Sequence, residues 1–277
     1  MLFKKTTTAF LLLLLLLGET HASRALAAQE EQALAPEAAY SLVKTKAESG
    51  DVSAMLTLGG FYEHGVGTPM DYTMALEWYE KAAQAGSREG VYNTAIFYEI
   101  GMGAPTDRAK ARERFLQAAD AGLAQAQYRA SAIYADGILA PRDEKKAMEY
   151  LVKAADAGHP IAANDLGVIY LRGLMGQKEN GSKALTMFLK AAELGNLESI
   201  KNIGVIFKDG LGQNVNNATA LKWFLIALKG GYPPEQLAPL VAELRATMDA
   251  DQIRYAEAQS TQWIQEHQKK TAAQEKK

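Results

Sequence analysis

The sequence predicts an all-α protein, an α-solenoid of antiparallel helix pairs, and three repeated features support this prediction. A glycine ends each repeat and recurs after 36, 36, 37 and 36 residues. A short polar residue precedes each of these glycines by fifteen positions, and two alanines lie between them at constant spacing. A fixed period of this length is typical of stacked helical repeats, in which each unit buries its apolar face against its neighbours. The terminal glycines are Gly86, Gly122, Gly158, Gly195 and Gly231.

The second helix of each repeat begins after the short polar residue, because Asp and Asn side chains accept backbone N–H groups at a helix N-terminus. Alanines follow four and eleven positions later, a spacing that keeps both on one helical face. This stripe of small residues predicts the close approach of another helix. The capping residues are Asp71, Asp107, Asp143, Asn180 and Asn216, and the alanines are Ala75 and Ala82, Ala111 and Ala118, Ala147 and Ala154, Ala184 and Ala191, and Ala220 and Ala227.

The first helix of each repeat carries an aromatic residue three positions before a glycine that we expect to end the helix in a left-handed conformation. The turn from that glycine to the next capping residue is short, which makes the two helices antiparallel. Repeat four has one extra residue between Gly173 and Asn180, in a loop where an insertion costs little. The aromatic residues are Tyr62, Tyr98, Tyr134, Tyr170 and Phe207, and the glycines are Gly65, Gly101, Gly137, Gly173 and Gly210.

Residues 1–27 predict a secretory signal peptide. Lys4 and Lys5 precede an apolar run that is too short to span a bilayer, and small residues follow the run. We expect cleavage after Ala27, with Ala22 as the alternative. The chain has no cysteine, so neither a disulfide nor a lipidated cysteine is expected. Export predicts a periplasmic location in a Gram-negative bacterium, or secretion, with no integral membrane segment after cleavage.

The remaining chain divides into a lead-in, five repeats and two capping regions. Residues 28–36 are expected to be a flexible lead-in, and residues 37–53 an N-terminal capping helix. Residues 232–265 are expected to form C-terminal capping helices, the first of them shortened by prolines, and residues 266–277 a polar tail that is frayed from Gln268. The repeats span residues 54–86, 90–122, 126–158, 162–195 and 199–231, and the prolines are Pro233, Pro234 and Pro239.

Charge and residue types argue against nucleic acid binding and against catalysis. Loss of residues 1–27 changes the formal net charge from −2 to −4, and no basic stripe occurs that could replace counterions on phosphates. His64 and His159 are the only histidines outside the signal and the C-terminal tail, and they fall in different repeats. No HExxH pair, no G-x-S-x-G sequence and no cysteine nucleophile is present. We therefore expect no enzyme, no metal site and no cofactor.

The repeat resembles the Sel-one-like repeat family, a relative of the tetratricopeptide repeats. The shared pattern is A-x-x-x-L-G-x-x-Y-x-x-G-x-G followed by A-x-x-W-Y-x-K-A-A-x-x-G, and the likeness covers about residues 37–265. Repeats two and three depart from it, since Thr94-Ala95 and Ala130-Ser131 replace Leu-Gly. The resemblance implies a right-handed superhelix and an adaptor role, often in the bacterial envelope.

Family members are known to scaffold polysaccharide or secretion machinery, to bind a sensor kinase, or to act as immunity proteins against a secreted toxin. The resemblance thus implies a non-catalytic periplasmic scaffold whose partner is an envelope component, a sensor domain or a toxin. An immunity or inhibitor protein that neutralises a secreted, type VI-like toxin is the alternative. A β-lactam-active enzyme is disfavoured, because the chain lacks the cysteine framework of the relatives linked to that activity. The oligomeric state is left open.

The analogy with tetratricopeptide repeats places positions three, seven, ten and eleven of each first helix in a concave groove. Acidic groove residues lie toward the N-terminal end and basic ones toward the C-terminal end. Tyrosine and arginine most often dominate binding energies, so Tyr92, Tyr128 and Arg172 are candidate hot spots. Both tyrosines could instead pack between neighbouring helices, and the lysines could form only a solvated face. The candidate binding residues are Glu63, Tyr92, Ile96, Glu99, Tyr128, Asn164, Leu171, Arg172, Lys201 and Lys208.

Overall fold

A computed structural model describes residues 35–274, with side chains described as far as residue 270. Every regular element in this range is an α-helix, which confirms the all-α prediction. The predicted signal peptide, residues 1–27, and most of the predicted lead-in, residues 28–34, lie outside the described residues. None of the helices between residues 35 and 274 is both long enough and apolar enough to span a membrane.

The chain separates into two compact units, and the first ends at Ala82. Its described part contains α1 (Pro36–Glu48), α2 (Val52–His64) and most of α3 (Tyr72–Gln84). The rings of Tyr40 and Tyr62 meet edge to face at 5.8 Å, and their hydroxyl oxygens are 2.8 Å apart. This contact joins α1 to α2, so α1 covers the start of the repeat array as the predicted capping helix would.

The second unit begins at Ala83 and contains the remaining ten described helices. Helices of each repeat pack in consecutive pairs, and each pair packs on the next. The α-solenoid of helix pairs predicted from the sequence is therefore present in this unit. Its helices are α4 (Arg88–Ile100), α5 (Arg108–Asp120), α6 (Ala124–Asp136), α7 (Glu144–Asp156), α8 (Pro160–Arg172), α9 (Gly181–Glu193), α10 (Leu197–Asp209), α11 (Asn217–Lys229), α12 (Pro234–Thr247) and α13 (Ala250–Gln274).

The predicted capping residues begin the second helices. The Asp107 carboxylate accepts the Lys110 backbone N–H at 2.9 Å, and the other four predicted caps make the equivalent bond at 2.8 to 3.0 Å. Each first helix then ends at a glycine with a positive φ, between 63° and 77°, as expected for left-handed cap residues. Local residue chemistry therefore sets both ends of each helical hairpin.

The core of each helix pair consists of an aromatic or leucine side chain that packs on a small residue. The ring of Phe188 lies against Gly167, and the ring of Phe224 lies in the same way against Gly204. The predicted alanine stripes are also buried, with at most 1% of each alanine exposed. Because these residues are small, the two helix backbones can approach closely and exclude water from the larger side chains.

In repeats two and three, which depart from the family pattern, the sizes of the two facing side chains compensate for each other. Ala95 replaces glycine in repeat two and packs in one buried cluster with Phe115. In repeat three the larger Ser131 occupies the glycine position, and the facing register position holds Leu151 in place of an aromatic ring. The volume of the pair is thus roughly conserved, which is the kind of exchange that cores tolerate best.

The C-terminal region differs from the sequence prediction in two respects. Helix α12 has 14 residues and is not shortened, because Pro233 and Pro234 occupy its N-terminal cap and first position, where no backbone N–H is needed. Helix α13 continues to Gln274, so most of the predicted polar tail, residues 266–277, is helical. Trp263 stacks on His267 of the same helix at 4.8 Å and meets Trp223 of α11 at 5.6 Å, and the contact with Trp223 joins α13 to the repeats.

We expect Gly167→Ala to destabilise the protein, because the added methyl carbon would lie 2.4 Å from the Phe188 ring. Overpacking of this kind costs about 1 to 3 kcal/mol, which exceeds the gain of up to about 1 kcal/mol from replacing a helical glycine. Gly60→Ala is the matched control, since its methyl would meet only the Tyr79 hydroxyl at 3.7 Å. Urea unfolding of both variants tests this, and equal stability would contradict the role assigned to the glycine.

Candidate protein-binding surface

Nine of the ten predicted binding residues lie on the first helices of the second unit, and side chains join these helices in sequence. We call the exposed side of α4, α6, α8 and α10 that carries them the first-helix face. The nine residues are Tyr92, Ile96, Glu99, Tyr128, Asn164, Leu171, Arg172, Lys201 and Lys208. The tenth, Glu63, lies in the first unit, where it accepts a hydrogen bond from the Tyr79 hydroxyl at 2.7 Å.

Tyr92 and Glu99 are held in place by the next repeat. The Tyr92 ring meets Phe115 edge to face at 5.6 Å and is half-buried. Arg129 of α6 forms an ion pair with Glu99 of α4, and its guanidinium lies 5.2 Å from the Phe115 ring. Burial raises the pKa of Tyr92, and Arg129 partly opposes this shift. Tyr92 is thus both a packing residue and an accessible one, so the two sequence interpretations of it are compatible.

Tyr128 is the centre of a second bridge, between α6 and α8. Its hydroxyl donates to the Asp165 carboxylate at 3.0 Å, and its ring stacks on the His159 imidazole at 4.6 Å. Burial and the Asp165 carboxylate raise the pKa of Tyr128 to about 12. The hydroxyl therefore stays protonated at neutral pH and remains a donor, with the ring fixed in one orientation.

Asn164 requires a correction, because the sequence placed it in an accessible groove and the structure buries it. Only 9% of Asn164 is exposed. Its side-chain oxygen accepts hydrogen bonds from the Ser199 hydroxyl at 2.9 Å and from the Asn202 amide at 3.3 Å. The side chain therefore joins α8 to α10 from within, and a buried amide needs such partners because an unsatisfied one is costly.

The predicted positive end of the face also requires a correction. Lys201 forms an ion pair with Glu198 of the same helix. Lys208 lies 3.4 Å from both Asp209 and Glu243, and hydrogen bonding to these carboxylates raises its pKa. Both lysines are thus neutralised by acids that lie outside the predicted set.

Arg172 differs from the other charged residues of the predicted set. It is exposed in the last turn of α8, and no ion pair or hydrogen bond of its side chain to another residue in the range 35–270 is found. The neighbouring Leu171 is partly buried against the core around α10, and Ile96 packs in the same way beside Phe115. The accessible part of the face thus combines half-exposed tyrosines, aliphatic side chains and one unpaired guanidinium.

The sequence interpretation missed the residues that join the first helices, although a signal for them exists. Position four of the first helix is polar in repeats two to five, which a solenoid core would not require. Three of these side chains, those of Arg129, Asp165 and Asn202, bind a residue of the preceding repeat directly. The four residues at this position are Asn93, Arg129, Asp165 and Asn202.

The described residues offer no assembled site for a metal ion. No group of three or more His, Cys, Asp or Glu side chains between residues 35 and 270 is placed to hold one. His159 serves as a helix cap, since its Nδ1 accepts the Ala162 backbone N–H at 3.2 Å. His64 lies in the last turn of α2, in the other unit.

We expect the cap at His159 to make stability depend on pH. Burial lowers the pKa of His159 below its usual 6.5, although Asp165 opposes the shift. The unfolded chain then binds a proton more readily than the folded one, so this contribution to stability is present above about pH 6.5 and is lost as the pH falls. Protonation of Nδ1 also removes the acceptor, and loss of a cap costs about 1 kcal/mol.

The measurement is urea unfolding between about pH 8 and about pH 5, the range in which histidine titrates. His159→Asn is the matched control, because asparagine caps a helix and has no titrating side chain in this range. The unmodified protein should lose stability relative to this variant as the pH falls. Parallel pH profiles of the two proteins would show that His159 does not carry the effect.

Comparison with known proteins supports the fold. The Sel1 repeat family model matches residues 52–87, 88–123, 124–159, 160–196 and 197–232. A Sel1 repeat protein from Oxalobacter formigenes aligns with a TM-score of 0.66 at 23% identity, over 77% of this chain and 89% of that one. The protective antigen c5321 of uropathogenic Escherichia coli, which has an SLR fold, aligns with a TM-score of 0.53 at 21% identity, over 86% of this chain and 66% of that one.

A third similar structure is that of the immunity protein Pa5087 from Pseudomonas aeruginosa, with a TM-score of 0.45 at 19% identity, over 77% of this chain and 82% of that one. No curated protein matches the sequence significantly. The likenesses to the Oxalobacter formigenes and Escherichia coli structures fall below 25% identity, so they bear on the fold alone. The five family matches span more than half of the sequence, and together with the helix pairs described above they show that the chain belongs to the Sel1 repeat family.

Proposed function

We propose that this chain is a non-catalytic adaptor of the bacterial periplasm that binds a partner protein through its first-helix face. Helical repeats of this family form scaffolds suited to protein–protein interaction. The periplasmic part of the proposal rests on the signal peptide expected at residues 1–27. The observation that carries the binding role is the placement of Tyr92 and Tyr128, which are half-exposed and anchored by neighbouring repeats.

Anchoring favours binding because it lowers the entropy lost on association. A side chain that is already fixed by its neighbours loses little rotamer freedom when a partner covers it. Tyr128 is held on two sides, by the Asp165 carboxylate and by the His159 ring, and Tyr92 is held by Phe115. Rigid aromatic residues with a polar tip are the type that most often supplies the largest share of binding energy.

The charged residues of the first-helix face indicate where a partner protein would place a charged group. Glu99, Lys201 and Lys208 already have partners of opposite charge, so a binding protein gains little by pairing with them. Arg172 has no such partner among the described residues and can form two parallel hydrogen bonds with a carboxylate. We therefore expect the partner to place an acidic group next to Arg172 and apolar side chains over the tyrosines.

The test is capture of envelope proteins from a periplasmic extract by the immobilised protein. The double variant Tyr92→Ala and Tyr128→Ala should lose its partner, with retention reduced at least about tenfold. Arg172→Glu should weaken capture without affecting the fold, since Arg172 is exposed. Tyr255→Ala is the matched control, because Tyr255 is a 61% exposed tyrosine on α13, outside the face.

Capture of the same proteins by the double variant and by the unmodified chain would contradict binding at this face. Circular dichroism melting should accompany each variant, so that a loss of binding is not confused with unfolding. The identity of the captured protein separates the two narrower roles considered from the sequence. An envelope component or sensor domain indicates a scaffold, whereas a secreted toxin indicates an immunity protein.

A further inference from the structure

In two junctions of the second unit, a hydrogen bond joins the hairpin turn of one repeat to the second helix of the preceding repeat. Between repeats two and three, Arg112 of α5 donates to the Leu139 carbonyl at 2.9 Å. Between repeats four and five, the Ser182 hydroxyl at the start of α9 donates to the Gly212 carbonyl at 3.1 Å. Gly181 and Gly212 lie in contact there, since a methyl on Gly212 would be 2.6 Å from the Gly181 α-carbon.

The junction between repeats three and four is different, and a single inserted residue distinguishes it. The turn of repeat five reads GLGQ from Gly210, whereas the turn of repeat four reads GLMGQ from Gly173. The inserted residue is therefore Met175. Its φ of 51° makes it the one non-glycine residue with a positive φ in the range 35–274, a conformation that a side chain disfavours.

A second difference lies in the helix that this turn faces. The residue after the capping residue is Gly181 in α9 but Glu144 in α7. A methyl on Gly181 would lie only 2.1 Å from the Leu211 carbonyl oxygen, so the close approach seen at α9 requires glycine. Glu144 has a side chain at the position that glycine occupies in α9. No hydrogen bond joins the segment 173–179 to α7 within the described part of the chain.

A cleft of about 590 Å³ lies between α7 and the turn of repeat four. Its floor consists of Met148, Val152 and Met175, which also belong to one apolar cluster. This volume lies within the range of about 300 to 1,000 Å³ that is usual for binding pockets. Methionine side chains are flexible and polarisable, so such a floor adapts to apolar groups of different shape.

The rim of the cleft carries charged side chains of both signs, and two of these side chains form no ion pair or hydrogen bond with a described residue. Glu144 forms an ion pair with Arg142 at 2.6 Å, and the Lys153 ammonium lies 5.1 Å from the Tyr150 ring. Lys145 and Glu149, one helical turn apart on α7, form no ion pair or hydrogen bond through their side chains with any residue that the structure describes. An occupant that complements the rim must therefore offer an acidic group at one side and a basic group at the other.

We propose that this cleft is a second docking site, which takes one large apolar side chain of a partner protein segment. The segment flanks that side chain with an acidic residue, which faces Lys145, and a basic residue, which faces Glu149. A polypeptide meets these requirements because it carries an apolar group and both charges within a few residues. The site lies on a second helix and a hairpin turn, so it is separate from the first-helix face.

The experiment selects dodecapeptides from a phage-displayed library on the full chain and measures the affinity of the selected peptides by fluorescence anisotropy. Deletion of Met175 restores the turn sequence of repeat five and should weaken binding at least about tenfold. Val152→Glu places a charge on the cleft floor and should have the same effect. Leu189→Glu is the matched control, because Leu189 occupies the equivalent position of α9 and is 37% exposed.

The charge requirement is tested by a second selection on the double variant Lys145→Glu and Glu149→Lys. Peptides selected on this variant should carry the two flanking charges in the reverse order. The variant Tyr92→Ala should bind the original peptides unchanged, because Tyr92 packs in other clusters than the cleft floor, and this result separates the site from the first-helix face. If deletion of Met175 prevents folding, Val152→Glu alone tests whether the cleft binds the peptides, because Val152 is only partly buried.

Three outcomes would overturn the proposal. Selection that yields no peptide sensitive to deletion of Met175 or to Val152→Glu would show that the cleft binds no such segment. Peptides that lack flanking charges, or that keep their order in the charge-reversed variant, would refute the assigned chemistry. Concentration-dependent dimerisation that Val152→Glu abolishes would assign the cleft to a second copy of this chain.

Discussion

The structure depends on the packing of a large side chain of each second helix against a small residue of the paired first helix. In repeat four this contact joins Phe188 to Gly167, and in repeat five it joins Phe224 to Gly204. The contact brings the helix backbones close enough to bury the alanine stripes completely. Because the same contact recurs at every period, each helix pair presents the same surfaces to the next, and the array can extend.

This regular packing leaves the solvent-facing positions free to vary, and the chain uses them to join adjacent repeats. Glu99 and Arg129, Tyr128 and Asp165, and Asn164 with its two partners each cross from one first helix to the next. These contacts fix the orientation of the side chains that a partner would meet. The polar residues of the first-helix face thus contribute to the rigidity of the scaffold as well as to its recognition chemistry.

The one-residue insertion in the turn of repeat four has a different structural consequence. The hairpin turn of repeat four contains the inserted Met175, and a cleft lies between this turn and the preceding second helix. The apolar surface exposed there is partly covered by the inserted methionine itself. A solenoid can accept such a change at one junction because the helix pairs on either side are held by their own contacts, so the effect stays local.

The sequence by itself determined the helices, their ends and their pairing. The capping residues, the left-handed glycines and the alanine stripes act through contacts a few residues apart, and the structure confirms them. The sequence showed that repeats two and three depart from the family pattern, and the meaning of Ala95 and Ser131 became clear only beside Phe115 and Leu151. Helix α13 extends beyond residue 265, where the predicted capping helices end, although the residues that follow are mostly polar.

Only the tertiary structure decided which side chains of the first-helix face are accessible and which charges are already paired. Asn164 is buried because Ser199 and Asn202 reach it from the next repeat, and Lys208 is neutralised by Glu243 of a helix that the repeat period does not include. These partners lie more than thirty residues apart in sequence, so their distance depends on the rotation from one repeat to the next. Residue types and spacing do not specify that rotation closely enough to assign a hydrogen bond.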